Sequence, residues 1–262
     1  MIRLIEAETP VFAAFCAQDA LGARILAALR SYTGLCGSDA AQCWAQSCAV
    51  AGESLAAAIA LADGFATLYA EESADWDELA AFLRMQPWRR LQCGAETAAH
   101  LPFAEAWRSR VLRFRSPGRE PLEGVEIIRA EDLRTVYDLL EHSFASVKNR
   151  DLWMADMALR WRRGTARSWL LLRKGEALAT ASAIALTETF AYIGAVATLP
   201  EARGQGLAGE LLARVAEQTQ AAGREVVLSC LPELAGFYRG VGFGEAGEWV
   251  MVNCECYPIQ GK

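Results

Sequence analysis

The fold of this chain is decided by the stretch Ala195-Val-Ala-Thr-Leu-Pro-Glu-Ala-Arg-Gly-Gln-Gly-Leu-Ala-Gly-Glu210. It predicts a strand, a polar turn with Pro200, a glycine loop and then a helix. The apolar positions of that helix recur at helical spacing and are Leu207, Leu211, Leu212 and Val215. Gly204 and Gly206 let the backbone approach a ligand closely, and the first N–H groups of the helix lie unpaired at the positive end of its dipole. The stretch therefore predicts a cradle for a phosphate or a pyrophosphate.

Three kinds of phosphate-binding loop can be compared with this stretch. The Walker pattern fails because no Gly-Lys-Ser/Thr follows. The dinucleotide fingerprint Gly-x-Gly-x-x-Gly is matched literally by Gly204, Gly206 and Gly209, but residues 199–203 separate the strand from the glycines and too little chain follows for a dinucleotide sheet. The third pattern, Arg/Gln-x-x-Gly-x-Gly/Ala, is present at residues 203–208. It resembles the acetyl-CoA-binding loop of the GNAT N-acetyltransferases.

A second motif downstream strengthens this resemblance. After a predicted helix over 201–222 come an apolar strand at 225–230 and then residues 234–243. In that last segment Tyr238 is followed by x-x-x-Gly-Phe, which is similar to the second signature of the family. Many members carry Asn seven residues before this Tyr, whereas this chain has Leu231. The resemblance implies acetyl-CoA as co-substrate and acetyl transfer to an amine of a small molecule or a peptide.

The composition is typical of a soluble globular protein with two domains. The chain has 262 residues, of which 53% are hydrophobic and 22% charged, and a domain usually has roughly 100 to 150 residues. The net charge of -6 argues against a nucleic-acid partner, because nucleic-acid phosphates attract basic faces. The N-terminus lacks the pattern of a secretory signal, and the apolar run at residues 55–61 is too short to span a membrane. We therefore expect a cytoplasmic protein without a membrane partner.

The cysteines and histidines do not suggest a metal site. The eight cysteines form no Cys-x-x-Cys pair, and His100 and His142 form no cluster. The sequence therefore predicts no metal, and it predicts reduced, buried thiols.

An internal repeat predicts two similar halves. Matching residues recur at a constant offset of 125 and are Trp44 and Trp169, Leu61 and Leu186, and Phe65 and Phe190. Each half has short apolar runs around a Gly-Glu turn, which predicts a three-stranded antiparallel meander. The fold class that follows is α/β, with tandem GNAT-like domains that are each a mostly antiparallel mixed sheet flanked by helices. A basic, Pro- and Gly-containing linker at residues 113–119 sets the expected domains at 1–119 and 120–262.

The halves diverge after the third strand. The first half continues into Glu71-Glu-Ser-Ala-Asp75, where Asp75 is a predicted helix cap and Glu78 completes a capping box. This segment has carboxylates in place of glycines, so we expect the first domain to have lost the pyrophosphate loop. In the second domain, helices are expected at about 130–144 and 150–162, and the resemblance implies that residues 141–148 shape the acceptor pocket. Simple packing of the aromatic side chain in that segment is the alternative.

The resemblance also implies the cofactor-binding residues. The backbone around the glycine loop would hold the pyrophosphate, and the edge of the preceding strand would pair with the pantetheine arm and stabilise the oxyanion. The predicted cofactor-binding residues are Val196, Ala197, Thr198, Arg203, Gly204, Gln205, Gly206, Leu207 and Ala208.

Tyr238 and Glu188 are the predicted catalytic residues. A phenol with a reference pKa near 10 stays protonated at neutral pH and can donate to the CoA thiolate, although Tyr238 could instead pack in the core or only anchor the cofactor. Glu188 is the first choice of base because it shares a strand face with Tyr192, but it could equally be a solvated turn residue. The alternative bases are Glu141, Asp151 and Glu233.

The leading hypothesis is an acetyl-CoA-dependent N-acetyltransferase, as a monomer or a homodimer. A non-catalytic acyl-CoA-binding or regulatory module is the alternative, and an enzyme for a longer acyl-CoA would keep the same motifs.

Overall fold

The computed structural model describes residues 1–34, 41–48, 54–118, 120–141, 143 and 149–254. The chain divides into an N-terminal unit, Met1–Arg110 with Gly247–Lys262, and a C-terminal unit, Val111–Ala246. The expected boundary after residue 119 lies close to the first division. The assignment of the last strand to the N-terminal unit differs from the expected domain at 120–262.

The strands and helices of the chain have the following bounds. The strands are β1 (Ile2–Leu4), β2 (Ala41–Ser47), β3 (Leu55–Ala62), β4 (Phe65–Ala70), β5 (Arg90–Gly94), β6 (Glu105–Phe114), β7 (Glu126–Arg129), β8 (Arg167–Arg173), β9 (Glu176–Leu186), β10 (Phe190–Thr198), β11 (Glu225–Cys230) and β12 (Phe243–Asn253). The helices are α1 (Pro10–Cys16), α2 (Ala20–Tyr32), α3 (Trp76–Met85), α4 (Ala95–Ala99), α5 (Leu133–Glu141), α6 (Arg150–Arg163), α7 (Leu207–Ala221) and α8 (Ala235–Val241).

The N-terminal unit is a mixed sheet with helices on both faces. Its strand order is β1-β2-β3-β4-β5-β12, and only the β4–β5 pair is parallel. The β2–β3–β4 meander confirms the prediction for the first half. Alternate residues of β3 face two cores, because Ile59 packs with α3 whereas Ala58 and Ala60 pack with α1 and α2. Burial on both faces explains why this strand is apolar at every position.

The C-terminal unit repeats the same arrangement. Its strands have the order β11-β10-β9-β8-β7, in which only β10–β11 is parallel, and the β8–β9–β10 meander confirms the second prediction. Leu171 packs with α7 on one face, and the neighbouring Leu170 packs with α5 on the other. Each unit is therefore a mostly antiparallel mixed sheet flanked by helices, as expected.

The start of α7 differs from the prediction, and the cap of α3 agrees with it. The helix expected over 201–222 begins only at Leu207, because Gly204 and Gly206 adopt a φ of 76° that interrupts a right-handed helix. The predicted cap of α3 is confirmed, since the Asp75 carboxylate accepts a hydrogen bond of 3.0 Å from the Glu78 N–H. Most of the expected acceptor segment 141–148 and the Gly-Glu turn at 52–53 lie outside the described residues.

Several cysteines are buried thiols. Burial raises the pKa of Cys43 and of Cys93 to about 12 and raises the pKa of Cys16 as well. These thiols therefore stay protonated at neutral pH. Among the described residues, no helix is long and apolar enough to cross a membrane.

Candidate active site

The parallel pair β10–β11 separates halfway along β10. The two strands pair from Phe190 with Glu225 to Ile193 with Leu228, and their described residues form no pair beyond that point. The second half of β10, Gly194–Thr198, therefore has an edge that β11 does not cover. Such an edge can pair with an extended ligand as an added strand. The predicted residues 196–198 lie on it.

A β-bulge lies in the same half of β10. Gly194 pairs with Ser182 of β9 and Ala197 pairs with Thr180, so β10 contains one extra residue between these pairs. Ala195 adopts a φ of 49°, a left-handed conformation that costs a non-glycine residue about 1–3 kcal/mol. A bulge re-aims the backbone and side chains at the strand edge. The sequence did not reveal this feature, because alanine gives no signal for a positive φ.

The glycine loop leaves several backbone donors unpaired. After a 3-10 turn at Pro200–Ala202, the Arg203 N–H donates to the Pro200 carbonyl at 3.3 Å, so this one predicted donor is already used. The N–H groups of Gly204, Gln205, Leu207 and Ala208 have no acceptor within the described parts of the chain. A Cβ added at Gly204 would meet no atom within 4 Å. The loop is thus an open cradle, which fits a pyrophosphate.

Two arginines hold the loop in place. The Arg203 guanidinium donates to the Thr198 carbonyl and to the Ser143 hydroxyl, each at 3.2 Å. Arg173 donates to the Gln205 side-chain oxygen at 2.6 Å. These bonds add two positive charges beside the N-terminus of α7, where anions are favoured. Arg173 was missed from the sequence because it lies on β8, far from the loop in the chain.

Tyr238 is a protonated phenol at the edge of the core. Its ring packs edge to face against Phe237 at 5.0 Å and Phe243 at 6.2 Å. Its hydroxyl has no hydrogen-bond partner among the residues that the structure describes. Burial, with smaller contributions from the nearby Cys230 and Tyr192, raises the pKa of Tyr238 to about 12. The phenol is therefore available as a proton donor over the whole neutral range.

A hydroxyl pair lies where β10 and β11 separate. The Tyr192 and Ser229 hydroxyl oxygens are 2.7 Å apart. Ala191 and Ile193 pack towards α7, so the intervening Tyr192 points to the opposite face of the sheet. Ser229 is the first residue of β11 after its last pair with β10. Sequence reasoning missed this pair, because its members lie on two different strands and belong to no motif.

The structure does not bring Glu188 together with Tyr238. Glu188 is exposed in the turn between β9 and β10, five residues before Ile193. At a rise of about 3.3 Å per residue, it lies about 16 Å along the strand from the point of separation. The alternatives Glu141, Asp151 and Glu233 are also exposed. The identity of the base stays a prediction.

The equivalent position in the N-terminal unit is closed. Gln46 accepts a hydrogen bond of 2.9 Å from the Asp75 N–H, and Asp75 caps α3 through Glu78. Side chains of the protein thus accept hydrogen bonds from backbone N–H groups at the start of α3, whereas N–H groups at the start of α7 have no such acceptor in the described part of the chain. The acidic residues of this turn would also repel a phosphate.

These features define an α/β protein with an anion cradle beside a separated strand pair. Residues 133–243 match the family model described as the acetyltransferase (GNAT) family, so this part of the chain is a GNAT domain. A comparison with curated proteins found no match.

Solved structures extend the likeness to the whole chain. A tandem GNAT protein from the clavulanic acid biosynthesis pathway has a TM-score of 0.62 at 13% identity, covering 98% of this chain and 99% of that chain. A GCN5-related N-acetyltransferase from Sphaerobacter thermophilus has a TM-score of 0.59 at 19% identity, covering 98% and 96%. A GNAT-family acetyltransferase from Colwellia psychrerythraea has a TM-score of 0.57 at 14% identity, covering 97% and 100%. At these identities the likeness shows the fold.

Proposed function

We propose that this chain is a cytoplasmic N-acetyltransferase that moves an acetyl group from acetyl-CoA to an amine of a small molecule or a peptide. The observation that carries the proposal is the open glycine loop, whose unpaired N–H groups lie just before and within the first turn of the 15-residue helix α7. The family match over residues 133–243 supports the same activity. The N-terminal unit, in this proposal, has kept the fold and lost the cradle.

The residues proposed to hold acetyl-CoA fall into two groups. The backbone of residues 203–208 binds the pyrophosphate through its unpaired N–H groups, with further charge from Arg173. The edge at 196–198, which β11 does not cover and whose Thr198 carbonyl accepts from Arg203, pairs with the pantetheine arm. Acetyl-CoA supplies an acetyl group that is activated as a thioester. In the described parts of the chain, no cluster of three metal-binding side chains occurs.

Tyr238 supplies the proton for the leaving group in this proposal. The departing thiolate has a reference pKa of about 8.5, well below the pKa of about 12 of the buried phenol. The phenol is therefore fully protonated when the thiolate forms. It donates this proton as a hydrogen bond that stabilises the sulfur anion, because complete transfer to a base of lower pKa is unfavourable. It holds this proton at Oη, which no residue of the described chain engages.

In this proposal the proton of the amine leaves on the face of the sheet opposite α7, where Tyr192 and Ser229 lie. We infer that Ser229 accepts a hydrogen bond from the amine and that Tyr192 fixes the orientation of the Ser229 hydroxyl through their 2.7 Å contact. Glu188 remains the proposed final proton acceptor. The proton reaches it through a chain of several waters, because its turn is about 16 Å from the separated strands.

Ser229→Ala is expected to lower kcat/KM for the amine about 10-fold, because one hydrogen bond to the acceptor is lost. Acetyl-CoA affinity should not change. Initial rates with the best amine substrate and calorimetric titration with CoA measure the two quantities. The control is Ser168→Ala, which removes a hydroxyl from a second hydroxyl pair of the same unit, and it should change kcat/KM less than twofold. Equal effects of the two variants would assign Ser229 to packing.

The second candidate function is a non-catalytic acyl-CoA-binding module. It is favoured by one observation, namely that Glu188 and its three alternatives are exposed rather than held in the cleft. Such a protein would bind acetyl-CoA as tightly as an enzyme but would not turn it over.

One pair of measurements separates these functions. Acetyl-CoA at about 100 times its dissociation constant should raise the free energy of unfolding by about 2.7 kcal/mol. Incubation with acetyl-CoA, a panel of primary amines and a thiol reagent then reports turnover as CoA release. Stabilisation with turnover supports the transferase, and stabilisation without turnover supports the module. The absence of any stabilisation would contradict both functions.

A further inference from the structure

A cavity of about 630 Å³ lies within the N-terminal unit. It is formed by the C-terminal end of α3, the turn into β5, the loop before β6 and the end of β12. Its volume is in the range of small-molecule sites, which is roughly 300–1,000 Å³. It is distinct from any remnant of a cofactor cradle, because it adjoins the end of α3 opposite the cap Asp75.

The wall of the cavity is aromatic and held in place. Trp88 and Phe103 line it and pack edge to face, with ring centroids 5.4 Å apart. The Trp88 indole N–H donates to the Leu83 carbonyl at 2.7 Å, which fixes the indole ring. Pro87 and Pro102 flank the two aromatic residues and restrict the backbone on both sides. The site is therefore largely formed before a ligand binds, which favours a flat apolar molecule.

One cation defines the charge of this cavity. Arg84 is the only charged side chain among the described lining residues. It has no ion-pair partner in the described chain, and its guanidinium lies over the Phe103 ring at 5.9 Å. The Leu83 carbonyl at the negative end of α3 is already bonded by Trp88 and by the Gln86 N–H at 3.2 Å. The charge that a ligand would meet in the cavity is thus the positive charge of Arg84, which favours a ligand with an anionic group.

The cavity wall also contains an unused acceptor. Asn253 lines the cavity, and its buried side-chain oxygen has no hydrogen-bond partner. A buried polar atom without a partner costs about 1–3 kcal/mol. A rotation of the Asn253 side chain that turned this oxygen towards the cavity would let a ligand donor recover that energy.

We propose that this cavity is a second ligand site, which binds a small planar aromatic anion carrying one hydrogen-bond donor. The rings pack against the accessible part of Phe103, with the buried Trp88 supporting it from behind, and the acidic group pairs with Arg84. The donor bonds the Asn253 oxygen once that side chain turns towards the cavity. Met85, which is 74% exposed at the rim, can fold over the bound rings because its side chain is flexible. This inference does not depend on acetyl transfer.

The test uses two fluorescent probes that differ in charge, with the full chain in excess acetyl-CoA. Anilinonaphthalene sulfonate has aromatic rings, an N–H donor and a sulfonate, and N-phenyl-naphthylamine has the same rings and donor without the charge. We expect Arg84→Gln to weaken binding of the sulfonate at least 10-fold and binding of the neutral probe less than twofold. Arg84→Lys should restore part of the loss, and Arg3→Gln, an exposed control in the same unit, should change neither.

A second variant locates the probe. Ala104 lines the cavity and is exposed, so Ala104→Trp can fill the space without disturbing the core. It should abolish saturable binding of both probes while the urea midpoint stays unchanged. The proposal is overturned if the sulfonate shows no saturable binding, if Arg84→Gln binds it like the wild type, or if Ala104→Trp retains it. None of these results bears on turnover, so failure here is distinguishable from failure of the transferase proposal.

Discussion

Gly204→Asp is expected to weaken CoA binding about 30- to 100-fold. The new carboxylate would stand in the open cradle, where a pyrophosphate brings further negative charge. Two unit charges about 5 Å apart repel by about 3 kcal/mol at an effective dielectric constant of about 20, and salt removes part of this energy. Calorimetric titration with CoA at about 0.05 and about 0.5 M salt measures the effect, and the loss of affinity should be smaller at the higher salt concentration.

Gly204→Asn is the matched control for this prediction. Asn and Asp have the same shape, and both tolerate the φ of 76° at this position. A Cβ here meets no atom within 4 Å, so the two variants carry the same folding cost. Asn should reduce affinity less than fivefold. If Asp binds CoA as well as Asn does, the phosphates of CoA do not lie in this loop.

The sequence predicted the meander strands of both units because their burial leaves a regular pattern. Strand β3 is apolar at every position because helices cover both of its faces. The sequence placed the last strand, β12, in the expected domain 120–262, whereas the structure groups its residues from Gly247 onward with the N-terminal unit. Its residues 249–253 pair with β5, more than 150 residues earlier in the chain. A strand carries no local signal for so distant a partner.

The site was predictable where a residue type itself indicates a backbone conformation. Gly204 marks a positive φ directly, and the loop followed from it. Ala195 has the same handedness without the signal, so the bulge was missed. The contact of Tyr192 with Ser229 depends on the register of two strands, which a motif search does not test. Glu188 was chosen by the face it shares with Tyr192, and periodicity says nothing about distance along a strand.

Tyr238→Phe is expected to lower kcat about 100- to 1,000-fold and to leave CoA affinity unchanged. The ring contacts with Phe237 and Phe243 persist, and only the proton donor is lost. Steady-state rates with the best amine and calorimetric titration with CoA measure the two quantities. Tyr69→Phe is the control. Burial raises the pKa of Tyr69 to about 12 as well, but Tyr69 lies in the N-terminal unit. The substitution should leave kcat unchanged.

The pH dependence gives an independent check on Tyr238. Because burial raises the pKa of Tyr238 from 10.0 to about 12, the phenol stays protonated in the folded protein and should add no falling limb to kcat between about pH 7 and pH 10. The folded state favours the neutral phenol, so its contribution to stability is present below about pH 10 and is lost as the pH rises towards about 12. The urea midpoint of Tyr238→Phe should therefore fall less than that of the wild type over this range. A falling limb of kcat near pH 10 that disappears in Tyr238→Phe would show that this phenol ionises at its ordinary pKa, and it would contradict the raised pKa.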